Sequence, residues 1–318
     1  MKILIGYDGS EHSDDAIRDL KRAGLPRDSQ VLVASVGDLL MSAPDLSEVI
    51  GHALPVSGIS SKLTNAQTHA ESVIAEAKEA ASRGVDLVKE LFPEWHVEAD
   101  IMIGTPAWVL IDTAKRWNAD LVVVGEQGRS ALKRLLLGSV SKRVVTDSHC
   151  SVRVGRSRDQ REAEGPPRLI VGVDGSPAAE QAIFTVGQRV WEDGTEVRLV
   201  AVDDSTSSSR IAVRLPQAAA MIDNYFRNRE SRVSEMLDWA TTELDAIGLR
   251  TSVVTEKGDA KKIVLAKADE WGADSIFVGT RDFNNAFERF RLGSVSTAIV
   301  TNARCSVEVV RPPEVEQQ

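Results

Sequence analysis

The sequence lacks several features that would assign it to a specialised class of protein. Its 318 residues contain only two cysteines, too few for a small disulfide-stapled fold. No stretch approaches 18 consecutive apolar residues, so no segment is predicted to span a membrane. None of the five histidines stands at metal-site spacing from a second histidine or a cysteine. These absences favour a globular protein that binds no metal through such side chains.

Basic residues are fewer than acidic residues in this chain. Lys and Arg number 38 against 47 Asp and Glu, which gives a formal net charge of −9. Bulk nucleic-acid binding usually needs a basic stripe or a basic domain, so we expect no nucleic-acid partner. A small phosphorylated ligand is compatible with this charge, because backbone amides bind phosphate without net positive charge. The chain enters a predicted strand at Ile3, which leaves no room for a signal peptide, and we expect a cytoplasmic protein.

The chain contains two copies of one sequence pattern. KILIGYDGS at Lys2–Ser10 matches RLIVGVDGS at Arg168–Ser176. The glycine-containing segment Gly125–Thr146 matches Gly279–Thr301 in the same way. A repeat of this length predicts that one supersecondary arrangement occurs twice.

The repeat predicts two domains, at 1–155 and 168–312, joined by a linker at 156–167. The linker is charged, poor in apolar residues and ends in Gly-Pro-Pro, so we expect it to be exposed. Copy 1 is longer than copy 2 between its second and third strands, in the region Asp38–Lys62. That region is either a surface insertion without function or a lid or partner-binding loop.

Short apolar runs alternate with helical patterns in both copies. This order is typical of βαβ units, so we predict an α/β fold with parallel sheets. The run Leu121–Val124 is apolar throughout, as expected of a strand buried on both faces. Copy 1 has predicted helices at Ser13–Arg22, Asn65–Leu91, Pro106–Trp117 and Ser139–Thr146, the last opened by a serine cap.

Glycines in copy 1 follow the pattern G-x2-G-x9-G-S, through Gly125, Gly128, Gly138 and Ser139. The pattern begins after a buried strand and ends where a helix begins, which is where parallel sheets bind ligands. Glycine lets the backbone turn tightly and approach a phosphate without a Cβ in the way. The pattern therefore indicates a phosphate-binding loop, with a connector that binds nothing as the alternative.

The helix after Gly138 adds to this interpretation. The amides of Ser139, Val140 and Ser141 lack helical partners at its N-terminus and would point toward an anion. The hydroxyls of Ser139 and Ser141 would add hydrogen bonds or face a bound Mg²⁺. Nearby positive charge comes from Arg129, Lys133 and Arg134.

Two further strand ends would border the same site. Asp8 ends the first strand, and either accepts a hydrogen bond from a ligand amine or ribose hydroxyl or caps the next helix. Gly104 ends another strand, before Thr105 and Pro106, and is either a third edge of the pocket or part of a tight turn into the helix.

These features resemble the universal stress protein family over nearly the whole chain. The resemblance rests on the glycine spacing, the strand ends at Asp8 and Asp174, the run LLLGSVS at Leu135–Ser141, and the Cys-Ser-Val strands after Cys150 and Cys305. It implies two tandem open five-stranded parallel sheets in the order 3-2-1-4-5, with a Rossmann-like, adenine nucleotide alpha hydrolase-like fold. It also implies that the last strands pair, which makes the chain an intramolecular pseudo-dimer.

The resemblance further implies ATP binding in domain 1, with Mg²⁺ and one nucleotide per chain. Asp8 and Val36 would flank the adenine, while Gly125 and Gly128 would contact the ribose and phosphate. Gly104 and Arg129 are further candidate contacts. The phosphates would be held by Gly138, Ser139, Val140 and Ser141.

Both copies depart from the family pattern next to the phosphates. In copy 2, Asp282 replaces the middle glycine, and the loop to Gly293 is one residue longer. Two like charges at about 4 Å cost roughly 1 kcal/mol in water and several times that in a partly desolvated site. We therefore expect domain 2 to bind ATP poorly or not at all. In copy 1, Glu126 would either lie near the phosphates and weaken binding or point into solvent.

The sequence favours a nucleotide-dependent regulator of the stress response over two alternatives. One is a nucleotide-free interaction module with its partner surface on Asp38–Lys62. The other is a slow ATP-hydrolysing or adenylating enzyme. We assign no catalytic residue, because the sequence contains no Walker lysine motif, SGGxDS loop or HxGH pair. An unidentified protein partner and a homodimer of whole chains remain open.

Overall fold

Two α/β domains of one architecture follow each other in the chain. The structure is a computed structural model that describes residues 1–39, 56–128, 137–157, 165–203, 219–280 and 292–312, without the side chains of 56–66 and 219–227. Domain 1 contains β1 (Lys2–Gly6), α1 (Glu11–Asp19), β2 (Gln30–Gly37), α2 (Val56–Leu91), β3 (His96–Ile103), α3 (Pro106–Trp117), β4 (Leu121–Gly125), α4 (Ser139–Asp147) and β5 (Ser151–Gly155). Domain 2 contains β6 (Arg168–Val173), α5 (Pro177–Gly187), β7 (Glu196–Asp203), α6 (Ala219–Ala246), β8 (Arg250–Lys257), α7 (Ala260–Trp271), β9 (Ser275–Gly279), α8 (Ser294–Asn302) and β10 (Ser306–Val310).

The strands of the described residues form one sheet, in the order β3-β2-β1-β4-β5-β10-β9-β6-β7-β8. Within each domain the strands are parallel in the order 3-2-1-4-5, which confirms the expected fold class. β5 and β10 pair in antiparallel register, with Val152 opposite Val309 and Val154 opposite Val307. The two domains therefore form the expected intramolecular pseudo-dimer.

Helices cover both faces of the sheet because successive strand side chains point to opposite faces. In domain 1, α1 and α2 pack over Ile3 and Ile5, while α3 and α4 pack over Leu4 and Val122. The core on the α3 and α4 face continues across the β5–β10 seam into domain 2. The direction of winding reverses between β1 and β4, and this places a crevice at their carboxyl ends.

Two helix boundaries in domain 1 differ from the prediction. α1 begins at Glu11, because the Ser10 hydroxyl accepts a hydrogen bond from the Ser13 amide at 3.3 Å and caps the helix. α2 begins at Val56, so the end of the region Asp38–Lys62 is helical rather than a loop. Residues 40–55 of the proposed partner surface lie outside the described residues.

Charged side chains are buried at the seam between the domains. Arg153 and Glu308 stand opposite each other in β5 and β10, and both side chains are 0% exposed. Arg153 Nε donates to Asp19 at 2.6 Å, Arg153 Nη1 donates to Glu308 at 3.4 Å, and Arg189 pairs with the other oxygen of Glu308. Arg153 and Glu308 occupy equivalent positions in the two copies, so this pairing requires unlike halves.

The two cysteines occupy equivalent positions in the two copies. Both cysteines are free, and burial raises the pKa of the Cys305 thiol to about 12. Burial also raises the pKa of the Cys150 thiol, and a protonated thiol is a poor nucleophile.

Across the described ranges, no helix is long and apolar enough to cross a membrane.

Candidate functional site

A cleft along the carboxyl ends of the domain 1 strands has a volume of about 640 Å³. It opens at the β1–β4 crevice and is closed on its two sides by α2 and by the first turns of α3 and α4. Seven of the candidate residues line this cleft: Asp8, Val36, Gly125, Gly128, Ser139, Val140 and Ser141. The sequence pattern thus brings most of its candidates to one place.

Asp8 is held in a fixed orientation by the turn that leads into α1. Its Oδ1 atom accepts hydrogen bonds from the Ser10 amide at 3.0 Å and the Ser10 hydroxyl at 2.6 Å. The helix cap itself is Ser10, so the predicted alternative of Asp8 as the cap is wrong. Arg83 steadies the turn from α2 by donating to the Gly9 carbonyl at 2.8 Å.

Gly128 lies directly against this carboxylate. A Cβ added at Gly128 would stand 2.8 Å from Asp8 Oδ2, so a side chain here requires Asp8 to move. Gly138 closes the same loop, because its amide donates to the Glu126 carbonyl at 2.6 Å. A Cβ at Gly138 would lie 3.3 Å from the Cα of Gln127. Gly138 therefore packs tightly against the loop backbone, whereas the close neighbour of Gly128 is the side-chain carboxylate of Asp8.

Gly125 has a steric role in helix packing in addition to its place at the cleft. It lines the cleft, but a Cβ at this position would lie 2.6 Å from the His12 carbonyl oxygen in α1. The equivalent Gly279 makes the same approach to Ala178, at 2.3 Å from its carbonyl oxygen. The steric need for glycine here comes from helix packing in both domains, whether or not a phosphate is bound.

The N-terminus of α4 points into the cleft without a side-chain cap. Gly138 is the N-cap residue, so the predicted serine cap is wrong and Ser139 is the first helical residue. Ser141 is buried, and its hydroxyl donates to the Gly125 carbonyl at 2.6 Å. Its equivalent Ser296 donates to Gly279 at 2.8 Å, so this hydroxyl ties helix to strand and is not directed at a phosphate or Mg²⁺.

Three candidates are not among the described residues that line the cleft: Gly138, Gly104 and Arg129. Gly104 has a φ of 147°, its amide donates to the Gly37 carbonyl at 3.0 Å, and it does not line the cleft. This geometry favours the tight-turn interpretation, in which the neighbouring Thr105 borders the cleft instead. Arg129 lies outside the described residues.

Glu126 does not border the cleft, and its side chain, which is 27% exposed, pairs with an arginine at the domain seam. Its carboxylate accepts a hydrogen bond from Arg156 Nε at 3.1 Å and lies 3.5 Å from His12 Nδ1. Arg156 is buried, and its guanidinium also donates to two carbonyls of domain 2, those of Cys305, at 3.2 Å, and Val300. The prediction that the linker is exposed is therefore wrong at Arg156, and the glycine loop is tied to the domain seam.

The equivalent arginine in copy 2 lacks this carboxylate partner. Arg311 donates to the Cys150 and Val145 carbonyls of domain 1, as Arg156 does to their counterparts. Thr280 stands where copy 1 has Glu126, and the buried Nε of Arg311 has no hydrogen-bond partner among the described residues. Burial lowers the pKa of Arg311 to about 10. The fold therefore tolerates this arginine without its carboxylate.

We expect Glu126→Thr, which copies domain 2 into domain 1, to lower the free energy of unfolding by about 1–2 kcal/mol. A fully buried broken pair costs roughly 3–5 kcal/mol, and this one costs less because the Glu126 side chain is 27% exposed. Urea denaturation measures the loss. The control is Asp112→Asn, which removes an exposed pair with Arg116 and is expected to cost at most about 0.5 kcal/mol. Equal losses in the two variants would contradict this account.

Trp108 and Arg143 also line the cleft, and the sequence patterns did not single them out. The Arg143 guanidinium carbon lies 4.3 Å from the centre of the Trp108 ring, and Arg143 also pairs with Asp147. The equivalent positions in copy 2 hold Lys262 and Ala298. A position-by-position comparison of the two copies was the signal that could have identified this pair.

The corresponding cleft in domain 2 is smaller, with a volume of about 340 Å³. Asp174 repeats the Asp8 turn, since its Oδ1 atom accepts from the Ser176 amide at 3.0 Å. The N-terminus of α8 borders this cleft through Ser294 and Val295. Asp282 lies outside the described residues, so its expected effect stays a prediction.

Comparison with known proteins places the chain in a family. The model of the universal stress protein family matches residues 1–156 and again 167–311. A universal stress protein of Mycobacterium tuberculosis is 30% identical over 75% of this chain and 76% of its own length. One of Mycolicibacterium smegmatis is 26% identical over 98% of this chain and 97% of its own length.

A solved structure has the same fold over the whole chain. The universal stress protein from Archaeoglobus fulgidus covers 98% of this chain and 97% of its own, with a TM-score of 0.58 and 20% identity. Since the family model matches both halves, the protein belongs to the universal stress protein family, with two tandem domains.

Proposed function

We propose that the chain binds one ATP in the domain 1 cleft and acts as a nucleotide-dependent regulator of the stress response in the cytoplasm. The observation that carries this proposal is the convergence of the β1 end, the glycine loop and the α4 N-terminus on one cleft of about 640 Å³. Ligand clefts for small molecules have volumes of roughly 300–1,000 Å³. The cleft is therefore large enough for a nucleotide.

The phosphate end of the nucleotide would lie at the N-terminus of α4. The first amides of a helix have no helical acceptors and carry a partial positive charge, which favours an anion. Ser139 and Val140 border the cleft there, and Gly128 adds no side chain to the approach. This arrangement explains how an acidic protein can bind a polyanion.

The nucleoside end would lie between the ends of β1 and β2. Val36, the last residue but one of β2, is partly buried in contact with the core, and Ala34 also borders the cleft. Asp8 offers a carboxylate at the end of β1. An apolar wall with one oriented acceptor suits a heterocyclic base linked to a ribose.

Mg²⁺ would enter with the nucleotide. The described residues contain no cluster of three or more His, Cys, Asp or Glu side chains that could hold a metal ion. The Ser141 hydroxyl is committed to the Gly125 carbonyl. Mg²⁺ in nucleotide sites is commonly held by the phosphates and water with few protein ligands. The ion would serve to offset phosphate charge.

We assign no catalytic residue to the cleft. Tyr7 borders it, but burial and the nearby Asp14 carboxylate raise the pKa of Tyr7, so the phenol stays protonated near neutral pH. Slow ATP hydrolysis is compatible with this site, because water can attack a phosphate slowly without the help of a general base. Regulation by bound nucleotide is therefore preferred to rapid turnover.

Isothermal titration calorimetry with ATP tests the proposal. The whole chain is expected to show saturable binding, and adenosine is expected to bind more weakly because it lacks the phosphates. Absence of any heat of binding at about 1 mM ATP, where Kd values up to the millimolar range register, would contradict the proposal. That outcome would favour the nucleotide-free interaction module instead.

A further inference from the structure

Trp108 and Arg143 form a paired rim on the domain 1 cleft. Trp108 is 52% exposed and projects from the first turn of α3, whereas Arg143 projects from α4 and is 51% exposed. The guanidinium carbon lies 4.3 Å from the ring centre, within the range of a cation–π contact. The indole thus holds the charged group at the cleft.

The rim is not required by the fold. Domain 2 has the same order of strands and helices, yet it has Lys262 and Ala298 at these two positions. The pairing of Arg143 with Asp147 is a partly exposed i,i+4 contact on one helix, and such contacts stabilise helices only slightly. The stability of the fold therefore gives little reason for tryptophan and arginine at these two positions.

Arg143 lies close enough to the α4 N-terminus to reach an anion bound there. It stands four residues after Ser139, which corresponds to a rise of about 6 Å along the helix. Side chains on a helix lean toward its N-terminus, and both Arg143 and Ser139 border the cleft. Arg143 thus borders the cleft one turn after the first helix amides, while its Nε atom pairs with Asp147 on the next turn. A polyphosphate that extends from the helix N-terminus would come within reach of its guanidinium.

We propose that Arg143 recognises the outer phosphates of the nucleotide and makes domain 1 selective for a triphosphate over a monophosphate. This inference rests on the proposed function of the cleft. Arginine presents a planar fork of donors that matches phosphate oxygens in pairs. Trp108 acts as a positioning residue, because its ring holds the guanidinium plane over the cleft before the nucleotide arrives.

The absence of this pair from domain 2 gives a second reason to expect that domain 2 binds ATP poorly. Ala298 offers no donor, and Lys262 does not border the domain 2 cleft. The arginine that borders this cleft, Arg229, comes from α6 and donates to the Asp174 carbonyl at 3.3 Å. The two domains would thus differ at the outer phosphates as well as at the position of Gly128 and Asp282.

Calorimetric titration of Arg143→Ala with ATP and with AMP tests this inference. ATP affinity is expected to fall roughly 10- to 100-fold, the loss typical of a hydrogen bond to a charged group, while AMP affinity changes less than about twofold. Arg143→Lys is expected to give an intermediate loss for ATP, since lysine keeps the charge and loses the fork. Trp108→Ala is expected to lower ATP affinity less than Arg143→Ala.

The matched control is Arg116→Ala, because Arg116 makes an exposed i,i+4 pair with Asp112 and does not border the cleft. It is expected to leave both affinities unchanged. Equal losses for ATP and AMP in Arg143→Ala, or no loss for ATP, would overturn the inference while leaving ATP binding intact. Failure of the unaltered chain to bind either nucleotide would overturn the proposed function as well.

Discussion

Gly128→Asp is expected to lower the affinity of the chain for ATP by at least about 100-fold. The Cβ would meet Asp8 Oδ2 at 2.8 Å, and Asp8 is already fixed by two hydrogen bonds to Ser10. The new carboxylate would also face Asp8 and the phosphates, and like charges in a partly desolvated site cost several kcal/mol. Calorimetric titration with ATP measures the loss.

Two companion variants identify the cause of this loss. Gly128→Ala adds the steric conflict without the charge and is expected to lose less affinity than Gly128→Asp. Gly248→Asp makes the same chemical change in domain 2, at a position where a Cβ meets nothing within 4 Å. Its φ of 89° makes this substitution lower the stability of the protein, but the variant is expected to bind ATP normally. Unchanged affinity in Gly128→Asp, with a normal unfolding transition, would show that the nucleotide does not lie against this loop.

Glu308→Gln is expected to lower the free energy of unfolding by about 3–5 kcal/mol, the typical cost of breaking a buried ion pair. Arg153 and Arg189 both pair with Glu308, and all three side chains are at most 5% exposed. Arginine does not lose its proton in a protein, so both guanidinium charges would stay buried at the seam. Urea denaturation of the whole chain measures the effect.

The control is Glu196→Gln, whose carboxylate lies 3.6 Å from Arg168 in a pair exposed to water. Its expected cost is below about 1 kcal/mol. The charge swap Arg153→Glu with Glu308→Arg is expected not to restore stability, because it places Glu beside Asp19 and Arg beside Arg189. Restoration by the swap, or a small effect of Glu308→Gln, would contradict the account of the seam.

The Arg153–Glu308 contact also bears on why the two copies share one chain. In a pairing of two identical halves, these equivalent positions would bring arginine against arginine or glutamate against glutamate. The buried seam would then place like charges against each other. Unlike residues at this position favour the tandem arrangement over pairing between copies of one domain.

Most of the fold could be predicted from the sequence, because the patterns that indicate its strands and helices are local and occur in both copies. The strand of Leu121–Val124 and the helix of Pro106–Trp117 were visible as apolar runs and a proline start, and the repeat gave the second domain. The N-terminus of α2 was missed, because Pro, Ser and Gly in Asp38–Lys62 favour a loop by local preference.

The details of the site depended on contacts that local patterns do not contain. The steric role of Gly125 comes from the backbone of His12, which is distant in sequence. Glu126 pairs with Arg156, and only the geometry of the seam brings the latter back to the glycine loop. The position of Ser141 in the sequence suggests a phosphate ligand, and only the structure shows that its hydroxyl donates to the Gly125 carbonyl.

Native mass spectrometry of the whole chain at saturating ATP tests the central claim most directly, because it counts the nucleotides bound to each molecule. The account predicts one ATP per chain, none in Gly128→Asp, and one in Asp282→Gly, since the domain 2 loop keeps its extra residue and its rim still lacks Arg143 and Trp108. Two ATP molecules on the unaltered chain, or one that persists in Gly128→Asp, would contradict it.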